Sequence, residues 1–205
     1  MHTACFKRAF AFYTGTMKRY MVEESPLSHF LFADTRLAWF WLIVRVYLGW
    51  EWVTAGWEKI TNPAGTWVGD QAGTALTGFL QGALKKTAEF CPPAPAACHA
   101  DVPSWYASFV STFALPNATL MSYLVAYGEL LVGLALIAGF LVGISAFFGM
   151  FMNYNFMLAG SLSVNPVMFL IGLFLVLAWR VAGAWGADHY ALPLLRKYSR
   201  SLMGG

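Results

Sequence analysis

The sequence predicts an all-α integral membrane protein: a four-helix bundle with an N-terminal amphipathic segment and a long extracytoplasmic loop carrying short interfacial helices. Three observations predict it. Four apolar stretches, at about 37–56, 120–139, 141–160 and 166–185, are each about twenty residues long, and twenty residues at about 1.5 Å rise cross the roughly 30 Å hydrocarbon slab. Charged residues are 11% of the 205-residue chain and hydrophobic residues 59%; a soluble domain carries about 25% charge, so too little remains to clothe a water-exposed surface. The basic residues stand in short clusters beside the apolar stretches, the placement that orients membrane proteins. A net charge of +3 gives no footprint for a nucleic-acid partner; the expected surroundings are membrane lipid and other subunits of a membrane complex.

Residues 1–36 hold no apolar run long enough to span, and no uninterrupted core of a secretory signal. Phe6, Phe10, Tyr13, Met17 and Tyr20 recur at helical spacing, framed by Lys7–Arg8 and Lys18–Arg19. This reads as an amphipathic helix on the inner membrane surface, with a disordered basic tail as the open alternative. Span one, 37–56, carries Arg45 and Glu51. In the outer loop, 57–119, Leu76, Phe79, Leu80 and Leu84 keep helical spacing, which predicts a short helix along the surface. Pro92, Pro93 and Pro95 break any helix, and Trp105 to Ala114 predicts a second interfacial helix. Span two, 120–139, carries Glu129. Gly139 and Gly143 supply breakers for a tight turn into span three, 141–160, which carries Asn153 and Asn155. Pro166 suits the first turn of span four, 166–185, where Arg180 snorkels to the inner interface. Residues 196–205 form a basic tail.

The Lys/Arg bias orients the chain. Lys7, Arg8, Lys18, Arg19 and Arg36 precede span one, and Arg196, Lys197 and Arg200 follow span four. The loop has only Lys59, Lys85 and Lys86 against Glu58, Asp70, Glu89 and Asp101. Both termini are therefore expected in the cytoplasm of a prokaryote, with the loop outside its plasma membrane. Cys91 and Cys98 bracket the run C-P-P-A-P-A-A-C. Outside the cell they are placed to form a disulfide; two free thiols are the alternative.

A charge in the slab costs a few kcal/mol and marks a functional site by default. At about 1.5 Å per residue, Arg45, Glu51, Glu129, Asn153 and Asn155 fall between midplane and outer surface. On span one, Arg45, Gly49, Trp52, Gly56 and Lys59 share one helical stripe. Arg45 paired with Glu129 would bind a polar head group at the end of an apolar slot. A quinone fits that description, since its carbonyl accepts hydrogen bonds and its reduction takes up protons that a buried Glu relays. A purely structural ion pair is the competing reading. His2, His29, His99 and His189 are scattered and show no ligand spacing, so no metal or haem is expected, and no nucleotide fingerprint is visible.

Trp39 to Lys59, W-x-W-L-x-x-R-x-Y-L-G-W-x-W-x-x-A-G-W-x-K, resembles the DoxX/DoxD family of small membrane proteins. So do L-P-N-A followed by Y-G-E-L-L-V-G-L-A-L-I-A-G (Leu115 to Gly139), M-N-Y-N-F-M-L-A-G-S-L-S-V-N-P (Met152 to Pro166) and A-G-A-W-G-A-D (Ala182 to Asp188). The resemblance covers most of 37–195, which is read as one membrane domain. It implies a four-helix membrane fold and recurrent polar positions at Arg45, Lys59, Glu129 and Asn153. One branch of the family is the large subunit of a thiosulfate:quinone oxidoreductase. The resemblance thus implies a quinone-interacting subunit; taken with the depth and stripe of span one, the expected site has Glu129 and Arg45 at the chemistry and Arg45, Trp52, Lys59, Glu129 and Asn153 around the quinone. A non-catalytic accessory subunit of a larger respiratory or other membrane complex is the second reading.

Overall fold

The computed structural model describes residues 25–90 and 100–202. The expected helix at 6–20, the Cys91–Cys98 pair and the end of the tail at 203–205 lie outside the described residues. So do the side chains of 196–202. Among the described residues every regular element is helical, which agrees with the all-α reading.

Helix α1, Pro26–Ala33, starts with Pro in its first turn, and the Ser25 hydroxyl accepts from Ser28 N–H at 3.2 Å. A single 3₁₀ turn, Thr35–Leu37, leads into α2, Ala38–Ile60. In the loop lie α3, Thr74–Leu84, and α4, Ser104–Phe109. A π-turn at 110–114 continues α4, its register set by Leu115 N–H donating to Val110 O at 2.9 Å. Then come α5, Ala118–Ala138, α6, Val142–Leu158, α7, Asn165–Leu177, the short α8, Trp179–Ala182, and α9, Asp188–Leu202.

Two predicted boundaries move. Span one runs on to Ile60, so Lys59 rides on the helix rather than in the loop. Span four is broken: α7 ends at Leu177, and Ala178 N–H closes on Phe174 O before α8 begins. Helix α5 is long and apolar enough to cross a membrane; α6 and α7 are apolar but shorter.

Glycines decide how the helices meet. Helices α2 and α5 run antiparallel at very close range, because Gly49 faces Gly133 and Gly56 faces Ala126 and Leu130. A Cβ on Gly133 would stand 2.6 Å from Val53 N and 2.7 Å from Gly49 O. Small residues allow this approach where a hydrophobic driving force between helices is weak. Helix α6 packs antiparallel on α7, where Gly172 receives Met150, and on α5 through Val132 and Gly149. One core, built on Trp41, Leu48, Trp52, Leu136 and Leu175, joins α2, α5, α6 and α7. A second joins α3 and α4 to the ends of α5 and α6 through Leu80, Tyr106 and Val110.

Candidate functional site

The stripe predicted on span one is real. Arg45, Gly49, Trp52 and Gly56 are all buried, and Lys59 is half-buried at its far end. The pairing predicted from it is not: Glu129 does not meet Arg45. Glu129 is 2% exposed, and its Oε2 accepts from Lys59 Nζ at 2.6 Å. Lys59 reaches it by lying along its own helix, donating also to Ala55 O at 3.3 Å, with the ring of Trp67 5.1 Å beneath its ammonium.

Arg45 is spent elsewhere. Its Nη1 donates to Leu136 O and Ile137 O at 2.6 and 2.7 Å, and its Nη2 to Trp185 O at 3.0 Å. The last carbonyls of a helix have no partner inside it and carry its negative dipole end, and here a cation from another helix satisfies them. The turn that follows is built around the guanidinium. Gly139 has φ 68°, and a Cβ there would lie 2.7 Å from Arg45 Cζ. Asp188, buried at 3%, completes the turn from the other side, accepting Leu141 N–H at 2.6 Å and Val142 N–H at 3.0 Å as the N-terminal anchor of α6. Sequence reasoning gave Asp188 no role. The available signal was a lone acid, in an apolar setting, following the last span of a chain whose second and third spans are joined by a turn too short to cap itself.

Trp52 and Asn153 are fully buried, and neither the indole Nε1 nor either polar atom of the Asn153 amide has a hydrogen-bond partner. Trp52 Nε1 lies 3.0 Å from the Cβ position of Gly149. Asn153 stands one turn beyond Gly149 on the same face of α6, and such neighbours have Cβ atoms about 5–6 Å apart. Opposite, Val132 touches the Gly149 position, and Glu129 is one turn beyond Val132. The helices thus bring Trp52, Asn153 and the Lys59–Glu129 pair to one level of the core. Arg45 bonds two turns away, about 10 Å along α5. Asn155, predicted with this group, faces another way: its Nδ2 donates to Phe151 O, and its carbonyl accepts from Tyr106 Oη at 3.0 Å. Burial pushes the Tyr106 phenol up to about 12, so this hydroxyl keeps the proton it donates. Glu51 and Glu58 lie on the side of α2 away from the stripe.

Beside the polar level runs an apolar groove of about 760 Å³ between α5 and α6. Phe79 and Tyr106 border it at one end, Phe140 and Ile144 at the other, and Gly128, Val132 and Met152 form its floor. The floor residues are the immediate neighbours of Glu129 and Asn153. Met152 Sδ lies 3.4 Å from the Cβ position of Gly128, so these two lining residues meet at the floor, each next in the chain to a buried polar residue. An apolar slot of this size with a few convergent polar groups is the usual form of a ligand site. Among the described residues no group of His, Cys, Asp and Glu is arranged to hold a metal.

Compared with known proteins, residues 40–161 match the family model described as DoxX. No curated protein and no solved structure matches the chain.

Proposed function

The chain belongs to the DoxX family of membrane proteins, and from that premise we propose that it is a quinone-interacting membrane subunit of an oxidoreductase. In this reading α2, α5, α6 and α7 cross a prokaryotic plasma membrane as a four-helix bundle, with both termini cytoplasmic. The isoprenoid tail of a quinone lies in the α5–α6 groove. Its head turns inward between Gly128 and Met152, the unbranched Met swinging aside. There a quinone carbonyl accepts from Asn153 Nδ2 and Trp52 Nε1, and the Lys59–Glu129 pair delivers protons.

The observation that carries this reading is the orphaned Asn153 amide beside a groove of lipid dimensions. A buried polar group without a partner costs about 1–3 kcal/mol, and a ligand carbonyl with its hydroxyl form matches donor and acceptor on one side chain. Arg45 has no part in the proposed site, because both its terminal nitrogens are held by carbonyls two turns away, although its Nε is left without a partner. The electron donor is proposed from the family resemblance alone. Two thiosulfates joined as tetrathionate release two electrons, which a quinone takes up with two protons to become a quinol. The chain would hold the quinone while a partner subunit handles the sulfur anion.

A second reading rests on the same distances. The Lys59 ammonium and both terminal nitrogens of Arg45 are engaged in holding elements together, as expected of a non-catalytic accessory subunit of a larger membrane complex. One experiment separates the two: purification in mild detergent, with mass spectrometry of bound quinone and co-purifying proteins, for the parent chain and for Asn153→Leu. A stoichiometric quinone that Asn153→Leu loses while remaining folded supports the first reading. Stoichiometric partner subunits without quinone, unchanged by Asn153→Leu, select the second.

A further inference from the structure

Helix α1 is pinned against the membrane domain. Trp41 Nε1 donates to Leu31 O at 2.9 Å, and the Phe32 ring lies 6.0 Å from Trp41 and 6.4 Å from Phe174. Between α1 and α8 this leaves an open recess of about 700 Å³, lined by Pro26, His29, Phe30, Ala33, Asp34, Arg36 and Arg180. Among the described residues, two guanidinium groups, an imidazole and the Asp34 carboxylate line this recess.

That carboxylate orients one of the cations. Asp34 Oδ1 accepts Arg36 N–H at 2.9 Å, and Oδ2 accepts Arg36 Nε and Nη2 at 2.8 and 2.6 Å. The Phe30 ring lies 5.4 Å below the same guanidinium. Arg36 is therefore held in one geometry although its side chain is 76% exposed, and its Nη1 is left over from the Asp34 contacts. Arg180 stacks 5.6 Å over Trp179 at the rim. Leu27 and Trp179, next in the chain to the lining residues Pro26 and Arg180, are exposed, as are Trp39 and Phe40 in the first turn of α2 just after Arg36.

We propose that this recess binds the phosphate head group of an anionic phospholipid, with the acyl chains lying along the exposed aromatics. Arginine forks match phosphate oxygens, and basic pockets at the cytoplasmic ends of membrane helices suit anionic head groups. A soluble phosphate shares the head-group chemistry but has no use for the flanking Trp and Phe rings. The inference rests on the membrane orientation proposed above and not on the quinone reading.

The test uses the full chain in mild detergent. Native mass spectrometry follows retention of phosphatidylglycerol against phosphatidylcholine, and a thermal-shift series adds each lipid or inorganic phosphate. The parent chain is expected to retain and be stabilised by phosphatidylglycerol preferentially. Arg36→Gln and Arg180→Gln are each expected to lower that retention roughly fivefold, with Arg36→Lys intermediate as a folding control. Equal retention of both lipids, or unchanged preference in the folded double variant, overturns the proposal. Stabilisation by inorganic phosphate as strong as by phosphatidylglycerol overturns the lipid assignment in favour of a soluble anion. A C-terminal reporter reads the orientation separately, so a wrong topology is not mistaken for a missing lipid site.

Discussion

Arg45 lends one guanidinium to three carbonyls on two elements, and Gly139 leaves the room for it. Lysine is a poor substitute at such a site, since one ammonium on a flexible stem does not reproduce a planar fork. Arg45→Lys is expected to cost about 2 kcal/mol or more through carbonyls left bare in the core, read as a lowered Tm in detergent. The Lys59–Glu129 pair is asymmetric in another way. Lys59 keeps 20% of its side chain exposed while Glu129 keeps 2%, so removing the lysine strands a buried carboxylate, whereas removing the carboxylate frees a lysine that reaches water. Lys59→Met should therefore lower Tm more than Glu129→Gln, the former by an amount equivalent to about 3 kcal/mol. The double variant should fall short of the summed losses, because the two share one interaction. Asp34 gives the pH-dependent residue. Hydrogen bonds from the Arg36 side chain and then from its backbone hold the carboxyl down at about 2. A depressed pKa means that the contribution of this turn is complete above the ordinary carboxylate value of about 3.9 and fades as pH falls towards 2. Titration of the Asp34 carboxyl by carbon NMR should show that low midpoint, and Arg36→Gln should return it towards about 3.9.

At the scale of elements, the glycines sort into two kinds, and substitution separates them. Gly133 and Gly56 sit where two helix backbones touch, so a methyl group meets main chain that cannot swing away: the Gly56 Cβ position is 2.9 Å from Ala126 O. Gly78 and Gly82 on α3 have nothing within 4 Å of a Cβ. Gly133→Ala is expected to separate α2 from α5 and abolish the folded peak in size-exclusion chromatography. Gly78→Ala should raise stability by about 0.5–1 kcal/mol through helix propensity alone. Sequence reasoning found these elements because their signals are local. Leu76, Phe79, Leu80 and Leu84 gave α3, and the apolar runs gave α5 and α6 within a few residues. It missed the break at Ala178, since the run from Pro166 to Trp185 is apolar apart from Arg180 and carries no Pro or Gly at the point where the helix stops.

At the scale of the whole molecule, the stripe on span one was legible because helical spacing dictates it, but the partner of each charge was not. Depth arithmetic ranks residues along a span and says nothing of how far a side chain bends. Lys59 reaches Glu129 by lying back along α2, and Arg45 is claimed by helix-end carbonyls that no residue pattern displays. On the loop face, Lys59 is tied to Glu129, and Lys86 Nζ donates to Gly160 O at 2.8 Å at the end of α6, which leaves Lys85 as the one loop lysine of the three without such a tie. On the opposite face, Arg36 and Arg180 stand at the recess between α1 and α8, before the basic residues of α9. Cations committed inside the fold add little to a topology signal that works through exposed charge near the membrane, and Arg36 is itself paired with Asp34, so the discount applies on both faces and the orientation calls for a direct measurement. The expected outcome is that a membrane-impermeant maleimide, applied to intact cells after reduction, labels Cys91 and Cys98 but reaches Cys5 only once the membrane is permeabilised. Labelling of Cys5 in intact cells with protection of the loop cysteines would invert the protein, place the recess at the outer leaflet, and remove the charge argument for a cytoplasmic lipid site together with the orientation on which it depends.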